Sequence, residues 1–186
     1  MRQVDPRAAT PALLEQCAEL LVEEFRETAP GAWPTLESAR AEVGEALAPG
    51  KVGLLLRDGD RLVAWVGAQP MYDGHVWEVH PLVVRSAEQR RGHGSRLLRE
   101  IERRAAAAGV STLWLGADDE VGATSLAGRD LYADPYEAMR RVRNLAGHPF
   151  EFYRKCGFTL VGVVPDANGP GKPDLLLAKR VDPLLS

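Results

Sequence analysis

Residues 89–94 read Gln-Arg-Arg-Gly-His-Gly and stand between an apolar stretch at 76–84 and a segment at 95–108, where Leu97, Leu98, Ile101 and Ala105 recur at helical spacing before Gly109. A second apolar run, Thr112-Leu-Trp-Leu-Gly116, follows at once. Strand, glycine turn, helix and strand make a βαβ unit, whose crossover is right-handed and whose two strands are parallel. Gly92 and Gly94 allow backbone N–H groups to close on an anion where the helix presents its positive end, so a phosphate is expected there. The turn is not a P-loop, because no Gly-Lys-Ser/Thr follows, and Leu97 stands where the dinucleotide pattern has its third glycine. Gly-x-Gly taken alone fits a plain strand-to-helix turn equally well.

The rest of the chain wraps this unit. Thr10 and Pro11 start a helix with Leu13, Leu14, Cys17, Leu20, Leu21 and Phe25 on one stripe, and a second helix over 35–48 stops at Pro49-Gly50. Asp58-Gly59 between apolar runs at 52–57 and 62–68 predicts a hairpin. From Ala117 to Gly147 the pattern loosens around a helix at 135–143, and so long an excursion is usually functional. A helix at 149–156, a strand at 158–164, a Gly/Pro-rich loop at 166–173 and a strand at 175–179 complete the chain. No repeat or linker divides it, so residues 1–186 are expected to form a single domain, a mixed α/β sheet layered with helices.

Composition removes several classes. No apolar run approaches the roughly 18 residues of a membrane span. The net charge of −3 lacks the basic excess of a nucleic-acid binder. The first seven residues hold no apolar signal region, so a cytoplasmic location is expected. Cys17 and Cys156 cannot build a disulfide framework and are read as buried structural thiols. His75, His93 and His148 lack ligand spacing, so no metal is expected.

Gln89-x-x-Gly92-x-Gly94 after a strand, joined to Pro149-Phe-Glu-Phe-Tyr-Arg-Lys-Cys-Gly-Phe158, resembles the GCN5-related N-acetyltransferase superfamily over roughly Val52 to Lys179. Five further blocks resemble the aminoglycoside 6'-N-acetyltransferases in order: Trp77-Glu-Val-His-Pro-Leu-Val-Val84, Leu113-Trp-Leu-Gly-Ala-Asp-Asp119, Asp130-Leu-Tyr132, Asn144-Leu-Ala-Gly-His-Pro149 and Val163-Val-Pro-Asp-Ala-Asn-Gly-Pro-Gly-Lys-Pro-Asp174. The N-terminal third matches only loosely, through Trp33-Pro-Thr-Leu-Glu-Ser38. His93 and Cys156 depart from the usual residues without affecting the cofactor. The resemblance implies a mixed central sheet flanked by helices with splayed central strands, acetyl-CoA as co-substrate and a homodimer.

Residue chemistry is compatible with this. In a strand at 76–84, Glu78 and His80 share a face opposite Trp77 and Val79. Pro81 cannot donate to a ladder and so marks an edge, a bulge or a place where strands part. The resemblance implies that the Leu82 N–H polarises the thioester carbonyl, that Val83 and Val84 continue the cofactor strand, and that the pyrophosphate lies on Gln89, Arg90, Arg91, Gly92, His93, Gly94 and Ser95. It further implies that Glu78 is the base working through water, that His80 orients the site or binds substrate, and that Tyr153 both contacts the cofactor and protonates the departing sulfur. A solvated carboxylate, a structural histidine and a buried helix aromatic are the plain alternatives.

Acids at Asp118, Asp119, Glu120, Asp130, Asp134, Glu137, Asp166 and Asp174 could steer a polycation. Asp118 and Asp119, at a strand end beside the βαβ opening, are the leading candidates, with Asp134 from the excursion and Trp33 as an apolar wall or a core residue. The expected reaction is direct acetyl transfer from acetyl-CoA to an aminoglycoside, at the 6'-amine, in a ternary complex. Acetylation of a polyamine or a protein N-terminus is the rival reaction, and non-catalytic binding of acetyl-CoA or a cationic drug is the rival class.

Overall fold

In the computed structural model, which describes residues 1–181, the chain runs through β1 (Arg2–Val4), α1 (Pro11–Phe25), α2 (Leu36–Ala46), β2 (Val52–Asp58), β3 (Arg61–Met71), β4 (Val76–Val84), α3 (His93–Ala107), β5 (Thr112–Asp118), α4 (Pro135–Arg140), α5 (Phe150–Lys155), β6 (Thr159–Val164) and β7 (Asp174–Arg180). The last five residues of the expected domain lie outside the described residues. The strands form one sheet in the order β1-β2-β3-β4-β5-β7-β6, in which β4 and β5 are parallel and the other pairs antiparallel.

Local signals account for most boundaries. Thr10 Oγ1 accepts from the Leu13 N–H at 3.3 Å with Pro11 in the first turn of α1. Thr35 and Ser38 close a reciprocal capping box at α2. That helix ends at Ala46, two residues before the expected stop. β1 was not expected from the sequence: Arg2–Val4 pairs antiparallel with β2. Three residues are too few for a visible alternation.

Both faces of the sheet are covered around β2–β4. Leu13, Cys17, Leu20 and Leu21 of α1, with Ala39 and Val43 of α2, pack on Leu55, Trp65 and Val83. On the other face Leu97, Leu98, Ile101 and Ala105 of α3 meet Leu54, Leu56, Val79, Leu113 and Leu115. Cys17 is buried as expected, and desolvation pushes its thiol up to about 12. Cys156 is not: it is partly exposed on a groove beside α3 and Lys179, because α5 ends there.

A buried ion pair ties α3 to β7, with Lys179 Nζ 2.7 Å from Glu102 Oε2 and Glu102 only 5% exposed. Glu102→Ala leaves the ammonium unpaired near the core, a loss of about 2–3 kcal/mol given that the lysine end lies closer to the rim. The expected result is a lower urea midpoint with an unchanged slope.

Candidate active site

β4 and β5 pair only from Val76–Glu78 against Thr112–Trp114, and past Glu78 the two strands part. The cause lies on the far side of β4. There the register with β3 passes from Ala68↔Val79 to Val66↔Leu82, so His80 and Pro81 together oppose Gly67 in a bulge. The bulge inverts the alternation of β4. Trp77 and Val79 face α3, but beyond Pro81 it is Leu82 and Val84 that do, while Val83 turns toward α1. A Cβ on Gly67 would lie 2.3 Å from the His80 carbonyl oxygen, so only glycine admits this approach.

The parted strands leave backbone groups available. The Arg85 N–H donates to Val63 O of β3 at 2.9 Å, and by alternation the N–H groups of Leu82 and Val84 point the other way, into the gap. Val84 O on that edge accepts from Gln89 Nε2 at 3.0 Å. A cavity of about 320 Å³ fills the gap, lined by His80, Leu82, Val84, Asp118, His148 and Tyr153 among others. Burial, with Cys156 adding to it, holds the Tyr153 phenol well above its ordinary pKa, so the group keeps its proton.

The glycine turn differs from expectation in detail. α3 starts at His93, two residues earlier than read, with Gly92 as cap at φ +83°. The N–H groups of His93, Gly94 and Ser95 have no carbonyl a turn earlier, and Arg96 is the first to find one, Gly92 O at 3.0 Å. Gln89 does not offer its groups to a ligand: its N–H donates to Ser86 O and its side chain to Val84 O, bracing the turn. Arg91 pairs with Glu88 at 3.0 Å, leaving the exposed Arg90 as the better placed cation. Gly94 also serves packing, since its missing Cβ would meet Phe152 of α5 at 3.0 Å.

The opposite face carries the acids. Glu78 accepts from Gln69 Nε2 at 2.6 Å and, with Glu42 and His80, lines a second cavity of about 290 Å³. His80 borders both cavities. Its Nε2 is 3.6 Å from Glu42 Oε2, and its ring centroid is 5.5 Å from that of Trp33. Burial works to lower the His80 pKa, yet the neighbouring carboxylate of Glu42, with the charges of Glu78 and Asp118, overcomes it and the net shift is upward. Trp33 packs edge-on against Phe25 at 4.8 Å, is 9% exposed, and walls the first cavity.

Asp118 remains open at the end of β5, where it accepts from Asn168 Nδ2 at 2.6 Å. Asp119 and Asp134 are corrected. Asp119 is 1% exposed and spends its oxygens on the Ala123 and Thr124 N–H groups and the Thr124 hydroxyl, clasping the start of the excursion. Asp134 caps α4 through the Glu137 N–H at 3.0 Å and does not line either cavity.

Glu42 and His148 border the cavities without having been candidates in the sequence, and Asp174 was named there only among several acids. Glu42 was merely one of several acids on a helix. His148 is legible only as the residue before Pro149: its Nε2 is 3.1 Å from Asp118 O and its Nδ1 accepts from the Phe150 N–H at 3.2 Å. Those partners place its proton on Nε2, and burial lowers its pKa, so the ring is a neutral strut between β5 and α5.

Asp174 lies opposite Asp118 in the register, over Gly116, where a Cβ would come within 2.5 Å of its Oδ2. Burial, then the charge of Asp118, raises its pKa from 3.8 to about 6. With the folded value above the unfolded one, the fold is favoured by the protonated form and loses that contribution as pH climbs from 3.8 through about 6. Asp174→Asn is therefore expected to raise Tm at pH 7.5 by roughly 2–4 °C and to change it little at pH 4, as calorimetry at both values would show.

The sheet parts beside a bulged strand, with free strand N–H groups on one lip and an unspent helix start beyond it, as the resemblance implied. The model of the Acetyltransferase (GNAT) family matches residues 14–133, and the chain belongs to that family. Among solved structures it is similar to an aminoglycoside 6'-N-acetyltransferase complexed with coenzyme A, at 36% identity and TM-score 0.90 over 98% of each chain. It is likewise similar to the aminoglycoside 6'-N-acetyltransferase from Enterococcus faecium, at 37% identity and TM-score 0.87 over 98% of each chain. An aminoglycoside 6'-acetyltransferase type Ii matches at 32% identity and TM-score 0.73 over 98% of this chain and 99% of that one. A search of curated protein sequences gives no match. Among the described residues no helix is long and apolar enough to cross a membrane, and no cluster of His, Cys, Asp or Glu is suited to a metal.

Proposed function

We propose that the protein transfers an acetyl group from acetyl-CoA directly to the 6'-amine of an aminoglycoside, and so protects a cell from the antibiotic. The observation that carries this reading is the gap beside β4, where backbone N–H groups, the protonated phenol of Tyr153 and Asp118 border one cavity and, past His80, Glu78 borders a second, with Asp174 paired to Asp118 in the register. Similarity to named 6'-N-acetyltransferases at 32–37% identity supports the acceptor class.

The residues present fit acetyl-CoA. The N–H groups of Leu82 and Val84 face the gap, which Val83 also borders, and those of His93, Gly94 and Ser95 open at the end of α3 beside Arg90. Gly92, where an added Cβ would meet nothing within 4 Å, leaves room above the turn. When bound, acetyl-CoA supplies an activated carbonyl. The Leu82 N–H donates to its oxygen as negative charge develops, a contribution of ~3 kcal/mol. Glu78, steadied by Gln69, removes a proton from the acceptor through a water, because an ammonium has no lone pair with which to attack. Tyr153 delivers its phenolic proton to the departing sulfur. Asp118, Asp174 and the His80 edge then face the other ammonium groups of the acceptor.

A thiol-release assay with acetyl-CoA and paired kanamycin-type acceptors, one with an amine and one with a hydroxyl at the 6' position, tests the reading. Turnover of the amine alone is expected. Equal acetylation of the hydroxyl compound at another amine would remove the 6' assignment, and reaction only with peptides or simple polyamines would favour the rival acceptors. A homodimer and a cytoplasmic location belong to the same reading. Val161 and Val164, exposed on the outer strand β6, supply an apolar surface for the dimer, which light scattering would weigh.

A further inference from the structure

Glu42 has no part in the transfer just described, yet it holds a defined place against it. It sits on α2 one turn after the buried Ala39 and beside the buried Val43, with its side chain only 19% exposed. Its Oε2 is 3.6 Å from His80 Nε2. The nearby cation Lys51 is occupied by Glu45, at 3.3 Å. Trp33 braces the His80 ring from the α1–α2 loop, and the bulge at Gly67 fixes the backbone beneath it. The imidazole is thus held at the partition between the gap and the cavity under α2.

We propose that Glu42 is a positioning residue that acts through His80, fixing the orientation and the charge of the imidazole that an incoming ammonium meets. The inference rests on the proposal that a cationic amine occupies this face. The groups facing His80 are Glu42 from α2, Glu78 from its own strand and Asp118 from β5, with Asp174 of β7 also within its field. Lys51, just before β2, lines the same cavity under α2 and is paired with Glu45. An imidazolium here offsets one of these carboxylates and opposes the acceptor, whereas the neutral ring leaves the carboxylates free for it. Glu42 favours the imidazolium. Acceptor binding therefore strengthens as pH rises through the His80 titration, and Glu42 sets where that rise falls.

The test follows His80 directly. In protein labelled at histidine, NMR titration without acceptor is expected to show the His80 midpoint moving down by about one pH unit in Glu42→Gln. The acidic limb of acceptor kcat/KM should move with it, while the KM for acetyl-CoA stays put. In a His80→Asn background the same Glu42 substitution should leave that limb unmoved. An unshifted His80 midpoint, or an equal shift of the limb in the His80→Asn background, would overturn the proposal, the second result meaning that Glu42 meets the acceptor itself. If the midpoint shifts but no amine is acetylated by the wild type, it is the proposed function that fails, and the control of His80 by Glu42 stands.

Discussion

Tyr153→Phe is expected to lower turnover about a hundredfold and to leave the affinity for acetyl-CoA nearly as it was. The ring stays in place, since its neighbours Phe152 and Phe158, with centroids 5.1 and 5.8 Å away, contact carbon and not the hydroxyl. What disappears is a phenolic proton that burial keeps in place through the neutral range. Single-turnover thiol release set beside calorimetric binding separates the two effects. Unchanged turnover would take the acid role from Tyr153, and a matching loss of affinity would recast it as a binding contact.

Gly67→Ala should be the more damaging change to the molecule as a whole. The new methyl would sit 2.3 Å from a backbone oxygen that no rotamer can move, so the bulge itself must shift. A loss of about 3 kcal/mol is expected, together with nearly all activity, because the same bulge turns Leu82 toward the gap. Gly44→Ala is the contrast. It lies inside α2 with nothing within 4 Å of its added Cβ and should stabilise by about 0.5–1 kcal/mol. Thermal melts of both variants, with activity measured well below the lower Tm, decide the matter. A Gly67→Ala protein as stable and active as the wild type would show that the bulge tolerates a side chain.

The parts of the fold that could be read from the chain are those whose cause is local. Thr10-Pro11, Asp58-Gly59 and Gly92 announce a helix start, a hairpin and a turn within a few residues of themselves. Pro81 announced a break in the ladder, but its position opposite Gly67 follows from pairing between strands and could not be counted out along either one. The acids mark the limit most clearly. Asp118 and Asp119 are adjacent and chemically alike, yet alternation sends one carboxylate to the open face and the other inward to three donors of the excursion. Glu42 and Asp174 reach His80 and Asp118 from elements far away in sequence, so nothing in their neighbours distinguishes them from surface charge. The packing of Gly94 could not be read locally either, since its partner Phe152 lies on a helix far later in the chain.

The inverted alternation of β4 gives the enzyme two workshops with a shared wall. On the proposed function, residues before Pro81 present their polar side chains to the acceptor and residues after it present their backbone to the donor, so few side chains serve both. Changes in α2, in the loop bearing Trp33 and in the excursion after β5 can therefore reshape which amine is admitted without disturbing the N–H groups that receive the thioester. A lineage can redecorate one room while the other keeps its tools in place.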